Sequence, residues 1–212
     1  VTTLLTALFF ICTTPLLHAT NQQLPSAVTI SVTSAKPGKV PLVIGTIGTT
    51  DTTMQECMQI MQKDIQFSGQ CTAHIKEFAS SPSSPLIKSL YDNGYPLALF
   101  ITPNNDTIEW RLYDTLHARM IEGKQYSKKG SSVRGWAHHI ADSVWPLLTG
   151  QPGSFSARIA YCKSGKNAHG FHINHVCICD YDGSNEQVVV GVPSLTFSPR
   201  WNHDYNNPLI FY

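Results

Sequence analysis

The segment Asn167 to Gly183, "NAHGFHINHVCICDYDG", places His169, His172, His175, Cys177 and Cys179 within eleven residues. Imidazole and thiolate are the usual ligands of zinc, so a metal centre is the first chemistry to test. Read as a strand, the segment puts His175, Cys177 and Cys179 on one face and Val176 and Ile178 on the other. Ligands two residues apart on a strand spread along it at ~3.3 Å per residue. Tetrahedral zinc instead gathers four donors within ~2.3 Å of one point. Cys-x-Cys also lacks the Cys-x-x-Cys spacing of a zinc knuckle. His169 and His172, with Gly170 between them, lie in a loop that could bring them closer. This geometry favours no metal, with Cys177 and Cys179 as small apolar packers. The five residues remain a minority ligand set. The following Asp180-Tyr181-Asp182-Gly183-Ser184-Asn185 has the opening of a calcium loop without the bidentate Glu that closes one. It reads as a β-turn, with Asp and Asn accepting backbone hydrogen bonds and Gly183 at positive φ.

Other chemistry is absent from the sequence as motifs. There is no Gly-x-Ser-x-Gly elbow, no phosphate-binding Gly-x-x-x-x-Gly-Lys-[Ser/Thr] loop, no Gly-x-Gly-x-x-Gly and no His-Glu-x-x-His. His138 and His139 are adjacent, about a third of a turn apart on a helix, and so poorly placed to share a metal. His138 and Asp142, four apart, read as a surface pair. No catalytic residue, cofactor or resident metal is expected, and the protein reads as a non-enzyme.

The elements that carry these residues follow from periodicity. Val28, Ile30 and Val32 alternate with polar residues, as in a half-buried strand. "VPLVIGTIG" is a continuous apolar run and reads as a buried strand. A helix follows, with Thr53 and Glu56 as a capping box and Met54, Cys57, Met58, Met61 and Ile65 on its core face. "TAHIKEF" is a strand, "SSPLIKSLYDNG" a short helix and "YPLALFITP" a second buried strand. "TIEWRLYD" alternates with Ile108, Trp110 and Leu112 inward. "TLHARMIEG" alternates likewise, with Leu116, Ala118 and Met120 inward. The unit closes on a helix whose stripe is Trp136, Ala137, Ile140, Ala141, Val144, Trp145 and Leu148. Gly150 caps that helix and Pro146 disturbs its last turn. Beyond the linker "QPGSFS" only strand and turn signals remain: "ARIAYC", "HINHVCICDYD", "NEQVVVG" and "NNPLIFY". The fold class is therefore α+β, a mixed sheet with packed helices, followed by antiparallel strands of the sandwich or propeller kind. So few strands cannot bury both their faces, so the sheet is expected to continue beyond Tyr212.

Composition limits the partners. The 212 residues carry 15 Lys+Arg against 14 Asp+Glu, a formal net charge of +1, with no run of one sign. Nothing in this balance resembles a nucleic-acid binder. Residues 1–19 carry no charge and contain an apolar block from Leu4 to Cys12. Its length falls short of the ~20 residues of a membrane span, and small Ala19 suits cleavage before Thr20. A cleavable signal peptide is expected, which places the mature chain outside the cytoplasm. Cys57, Cys71, Cys162, Cys177 and Cys179 then remain, an odd number that cannot pair completely. Cys57 with Cys71 is the most plausible bridge.

Several motifs resemble one family. Arg158 to Tyr161 ("RIAY"), the turn from Asp180 through Asp182 and Gly183 to Asn185, and Ser198-Pro199-x-Trp201 look like the opening of the β-propeller in the TolB family of the Tol–Pal system. The helix ending in "WPLLTG" and the early "SAKPGKVPLVIG" are similar to the domain that precedes that propeller. The resemblance implies a signal peptide over 1–19, an α/β domain over 20–150, and a linker with the first propeller blade over 151–212. It marks Arg158, Tyr161, Asp180, Asp182, Gly183, Asn185, Ser198, Pro199 and Trp201 as blade motif residues. It further implies a periplasmic, non-enzymatic role in outer-membrane integrity and cell division. The implied partners are a Pal-like lipoprotein at the propeller and a TolA-like inner-membrane protein at the mature N-terminal segment, near Thr20, Ala27 and Val28. No nucleic acid is implied, and contact with the outer membrane would run through the partners. The alternative is the propeller gating region of a secreted serine hydrolase whose catalytic residues lie further along.

Overall fold

The computed structural model describes residues 38–48, 50–192, 198–204 and 206–212. The expected signal peptide, the strand around Val28 to Val32 and the contact residues Thr20, Ala27 and Val28 lie outside the described residues. What is described falls in one compact unit, Gly38–Tyr212.

Strand β1 (Val40–Ile47) is the predicted apolar run, and its middle is fully buried. Helix α1 (Thr52–Phe67) follows. Its cap corrects the sequence reading: Asp51, not Thr53, is the N-cap, and Asp51 Oδ1 accepts from Met54 N–H at 2.7 Å. Thr53 lies inside the first turn and has no free N-terminal N–H to serve. The predicted face of α1 is buried as expected, with Ile60 and Asp64 added to it. Strand β2 (Cys71–Phe78) pairs parallel with β1. Helix α2 (Ser84–Asp92) starts on Ser83, which caps Leu86 N–H, and leads to β3 (Leu97–Pro103), parallel to the other side of β1.

These two crossovers step across the sheet in opposite directions. With one hand of crossover, their helices must fall on opposite faces. The core divides accordingly. Leu42, Ile44, Leu99 and Ile101 pack under α1 with its methionines, while Val43, Ala98 and Phe100 pack with Ile87 and Leu90 of α2. Strands β4 (Thr107–Asp114) and β5 (Arg119–Ser127) extend the sheet antiparallel, giving the order β2-β1-β3-β4-β5. Ile108, Trp110 and Leu112 point inward as their alternation predicts.

The strand predicted from "TLHARMIEG" starts later than expected. Residues 115–118 form the turn between β4 and β5. Leu116 is 49% and Met120 54% exposed, so the apolar alternation there does not mark a core face. The turn is held from outside. Thr115 N–H donates to the Pro96 carbonyl and Thr115 Oγ1 to the Tyr95 carbonyl, and Ala118 takes φ 50.

Helix α3 (Val133–Thr149) lies beside α1 on the same face of the sheet. Ser132 caps it, Gly150 ends it at φ 72, and Pro146 is accommodated within it. The buried stripe differs from the predicted one at three places: His138 is buried, whereas Trp136 and Leu148 are half-buried. Cys57 and Cys71, expected as a bridge, are free thiols buried in this core. Burial, then the charges of Asp64 and Glu56, push the Cys57 thiol up to about 12. Strands β6 (Arg158–Lys166), β7 (His172–Asp180) and β8 (Gln187–Val192) form an antiparallel sheet in that order. Strands β9 (Arg200–Trp201) and β10 (Ile210–Phe211) form a separate antiparallel pair.

The segment between α3 and β6 is anchored rather than loose. Asp142 Oδ1 accepts from Phe155 N–H at 2.6 Å and Oδ2 from Ser156 N–H at 2.9 Å. Gly153 passes so close that a Cβ on it would lie 2.6 Å from Asp142 Cα and 3.0 Å from the Asp142 carbonyl oxygen. That carbonyl has no helical donor, because Pro146 has no N–H to give it. Gly153→Ala must therefore displace backbone, and we expect it to cost about 1–3 kcal/mol, the usual range for overpacking. A denaturant midpoint lowered at unchanged slope checks this.

Candidate functional site

A polar cluster lies where α1, α3 and the β7–β8 turn meet. Asp64, Arg134, His138, Asp180, Tyr181 and Asp182 converge there. Asp64 falls in the apolar stripe of α1, three residues after Met61, and is 1% exposed. Its Oδ1 accepts from the Tyr181 hydroxyl at 2.6 Å. Its Oδ2 lies 2.8 Å from His138 Nδ1, and an ionised carboxylate only accepts, so Nδ1 carries the proton. His138 is 4% exposed. The surface pair expected between His138 and Asp142 does not form: the Asp142 oxygens hold the backbone at residues 155 and 156. Burial wins at His138 because it faces α1 and its acid, whereas Asp142 lies toward the incoming linker.

Arg134 stands one helical turn before His138. Its Nε donates to Asp180 Oδ2 at 2.9 Å, and its Nη2 donates to Asp182 Oδ1 at 3.0 Å and Oδ2 at 2.8 Å. One guanidinium thus holds both acids of the Asp-x-Asp-Gly turn, the fork geometry that gives arginine its directional strength. Partial burial alone would raise the Asp182 carboxyl. The Arg134 hydrogen bond and the Ser184 N–H outweigh it and hold Asp182 below its ordinary value of 3.8. Partial burial would likewise lower Arg134, but Asp180 and Asp182 raise it. Burial first, then the Asp64 hydrogen bond, push the Tyr181 hydroxyl well up. Aromatic edges fill the rest: Tyr181 meets His138, Phe155 and Phe67, and Phe155 meets Trp145, at centroid distances of 5.4–5.6 Å.

The turn itself is the predicted one. Gly183 takes φ 80 and Asn185 φ 56, and Asp180 N–H donates to the Ser184 carbonyl at 2.9 Å. Other motif residues lie along the small sheet. Tyr161 and Lys163 both donate to Glu186, and that hydrogen bond pushes the Tyr161 hydroxyl up to about 12. Arg158 Nη2 reaches Gln187 Oε1 at 3.4 Å, while the Arg158 carbonyl accepts from Trp201 Nε1 at 3.2 Å. Ser198 takes φ 53 and Pro199 is half-buried.

The histidine and cysteine residues of the opening segment are dispersed. His169 lies in the loop organised by Asn167 Oδ1, and His172 is exposed at the start of β7. His175 lies opposite Lys163 and Gly191. Cys177 and Cys179 are buried. Among the described residues, no three or more His, Cys, Asp or Glu are grouped to hold a metal ion. The sequence reading passed over the Asp64–His138–Tyr181 and Arg134 contacts. One signal for them was present: an acid, Asp64, on the apolar face of α1 between Met61 and Ile65.

What the fold and cluster define is an α/β layer joined by polar pairing to the start of an antiparallel sheet. No family model matches the chain. It is 26% identical over 181 residues to the Tol-Pal system protein TolB of Gluconobacter oxydans, covering 84% of this chain and 39% of that protein. It is 34% identical over 97 residues to TolB of Desulfosudis oleivorans, covering 46% of this chain and 21% of that protein. The crystal structure of TolB from Acinetobacter baumannii superposes with a TM-score of 0.60 at 20% identity, over 82% of this chain and 47% of that one, and so shares the fold. The resemblance to TolB read from the sequence is borne out, and the chain spans less than half the length of these relatives. They do not favour the hydrolase alternative.

Two outcomes test the cluster. Asp64→Ala leaves the buried His138 donor and the half-buried Tyr181 hydroxyl without their acceptor and should cost about 3–5 kcal/mol, more than the about 1–3 kcal/mol expected of Tyr181→Phe. Urea unfolding of both variants checks the order. The second concerns acid. Because folding lowers the Asp182 carboxyl, its contribution is fully present above the unfolded value of 3.8 and is lost as pH falls through the lower folded value. Stability measured from about pH 5 down to about pH 2.5 should therefore fall less steeply in Asp182→Asn than in the parent, the difference opening below 3.8.

Proposed function

We propose that this chain is the N-terminal part of a non-enzymatic, periplasmic component of a Tol–Pal-type system. A cleavable signal peptide would span residues 1–19, an α/β domain 20–150, and a linker with the first propeller blade 151–212. The observation that carries the reading is the similarity to TolB, which runs through the α/β layer and on into the β6–β8 sheet.

The local geometry supports it. Propeller blades are small antiparallel sheets that pack face to face. The β6–β8 sheet leaves Ile159, Val188 and Val189 exposed, as a blade awaiting its neighbours would. Trp201 reaches back to the Arg158 carbonyl, bringing the Ser-Pro-x-Trp segment to the start of that sheet. At the joint the polar groups are engaged with one another: Asp64 with His138 and Tyr181, and Arg134 with Asp180 and Asp182. That arrangement suits a scaffold that fixes two recognition surfaces in one orientation. The proposed partners are a Pal-like lipoprotein at the propeller and a TolA-like protein at the mature N-terminal segment. Through them the protein would help maintain the outer membrane and its constriction at division. Among the described residues no helix is long and apolar enough to cross a membrane.

The test is a pull-down of the full-length protein on an immobilised Pal-like lipoprotein. Retention that survives washing at moderate salt is expected. Recovery no greater than from bare matrix would overturn the proposal.

A further inference from the structure

His138 is held between two groups with opposite demands. On α1, Asp64 Oδ2 takes the Nδ1 proton at 2.8 Å. On its own helix, Arg134 Nη2 lies 3.2 Å from Nε2. A guanidinium has no lone pair and keeps its proton in proteins, so this contact requires an unprotonated Nε2. From β7, Asp180 Oδ2 stands 4.0 Å from the same nitrogen and is already held by Arg134 Nε at 2.9 Å. The other titratable groups nearby are Tyr181, which meets the imidazole ring and bonds the second Asp64 oxygen; Asp182, tied to Arg134; Cys57, which feels the Asp64 charge; and Arg158 and the exposed His139, in the same cleft, His139 with its ring against Tyr126.

We propose that His138 is a proton-operated catch on the joint between the helices and the β6–β8 sheet. When neutral, it accepts from Arg134 and keeps the guanidinium forked over Asp180 and Asp182. A solvent proton bound at Nε2 sets an N–H and a positive charge against that guanidinium. The repulsion is relieved when the guanidinium withdraws from the imidazolium: the Arg134 Nε bond to Asp180 breaks, Arg134 is left on Asp182 alone, and Asp180 keeps only the charge pairing with His138 across 4.0 Å, too long for a hydrogen bond. Nδ1 donates to Asp64 in both states, so α1 and α3 stay joined. The loosening is confined to the Asp180–Ser184 turn and the sheet it terminates. Imidazole is the side chain whose ordinary titration falls between about pH 5 and 8, well above the range in which Asp182 loses its charge. The catch belongs to the joint itself and does not depend on which partners the protein meets.

Hydrogen–deuterium exchange on the full chain at about pH 7.5 and about pH 5.5, corrected for the intrinsic pH dependence of exchange, tests it. At the lower pH, amides of residues 180–184 should lose roughly tenfold in protection, the effect of about one charge-assisted hydrogen bond, while α1 and α3 keep theirs. In His138→Gln, whose amide donates and accepts without titrating, the step should vanish. Unchanged protection in the parent, or an equal step in His138→Gln, overturns the proposal. Should His138→Gln fail to fold, Arg134→Gln removes the cation to be displaced, and a step of undiminished size there overturns it equally.

Discussion

The structure turns on one buried carboxylate. Asp64 is almost wholly removed from water, and an acid so placed costs several kcal/mol unless its oxygens are filled. α1 alone offers nothing to fill them. One donor comes from His138 on α3, 74 positions away, and the other from Tyr181 at the end of β7, 117 positions away. Apolar burial pulls these elements together without direction. The acid supplies the direction, because only one placement of α3 and of the turn brings both donors to it.

From that point the joint is built outward in layers. Aromatic edges of Tyr181, Phe155 and Trp145 close around the pair. Asp142 pins the connecting segment so that Phe155 enters the core as a wedge. Arg134 then clamps the turn from the solvent side. A segment that reads as a plain linker is thereby made rigid, and the small sheet is held to the α/β layer by bonds with angular preference. For a protein whose proposed work is to present surfaces to partners, the consequence is a set orientation of the small sheet on the α/β layer.

Most elements were legible from periodicity. β1 and β3 are continuous apolar runs because both faces of the sheet are covered, and β4 alternates because it lies toward the edge. The misreadings have local physical causes. Leu116 and Met120 kept an apolar alternation, but Thr115 and Ala118 form a turn held by β3's approach, at Tyr95 and Pro96. Thr53 and Glu56 matched a capping pattern, but the helix begins earlier, with Asp51 accepting from Met54 N–H and its carbonyl from Gln55 N–H. His138 and Asp142 matched a surface spacing, yet each has a stronger partner on another element. Asp64 stood in plain view within the Met54–Ile65 stripe, but a buried acid is recognisable only when its donors are known.

The sequence by itself determined most of the strands and helices and most of their buried faces, the Asp-x-Asp-Gly turn with its glycine at positive φ, and the motifs that resemble TolB. Those features depend on residues close together in the chain, where spacing and conformational preference act directly. Tertiary structure alone decided that Cys57 and Cys71 are separate buried thiols, and that Asp64, His138, Tyr181 and Arg134 form one network. Such pairings depend on where whole elements are carried in space, and no local period records the partner that a buried polar group meets across the fold.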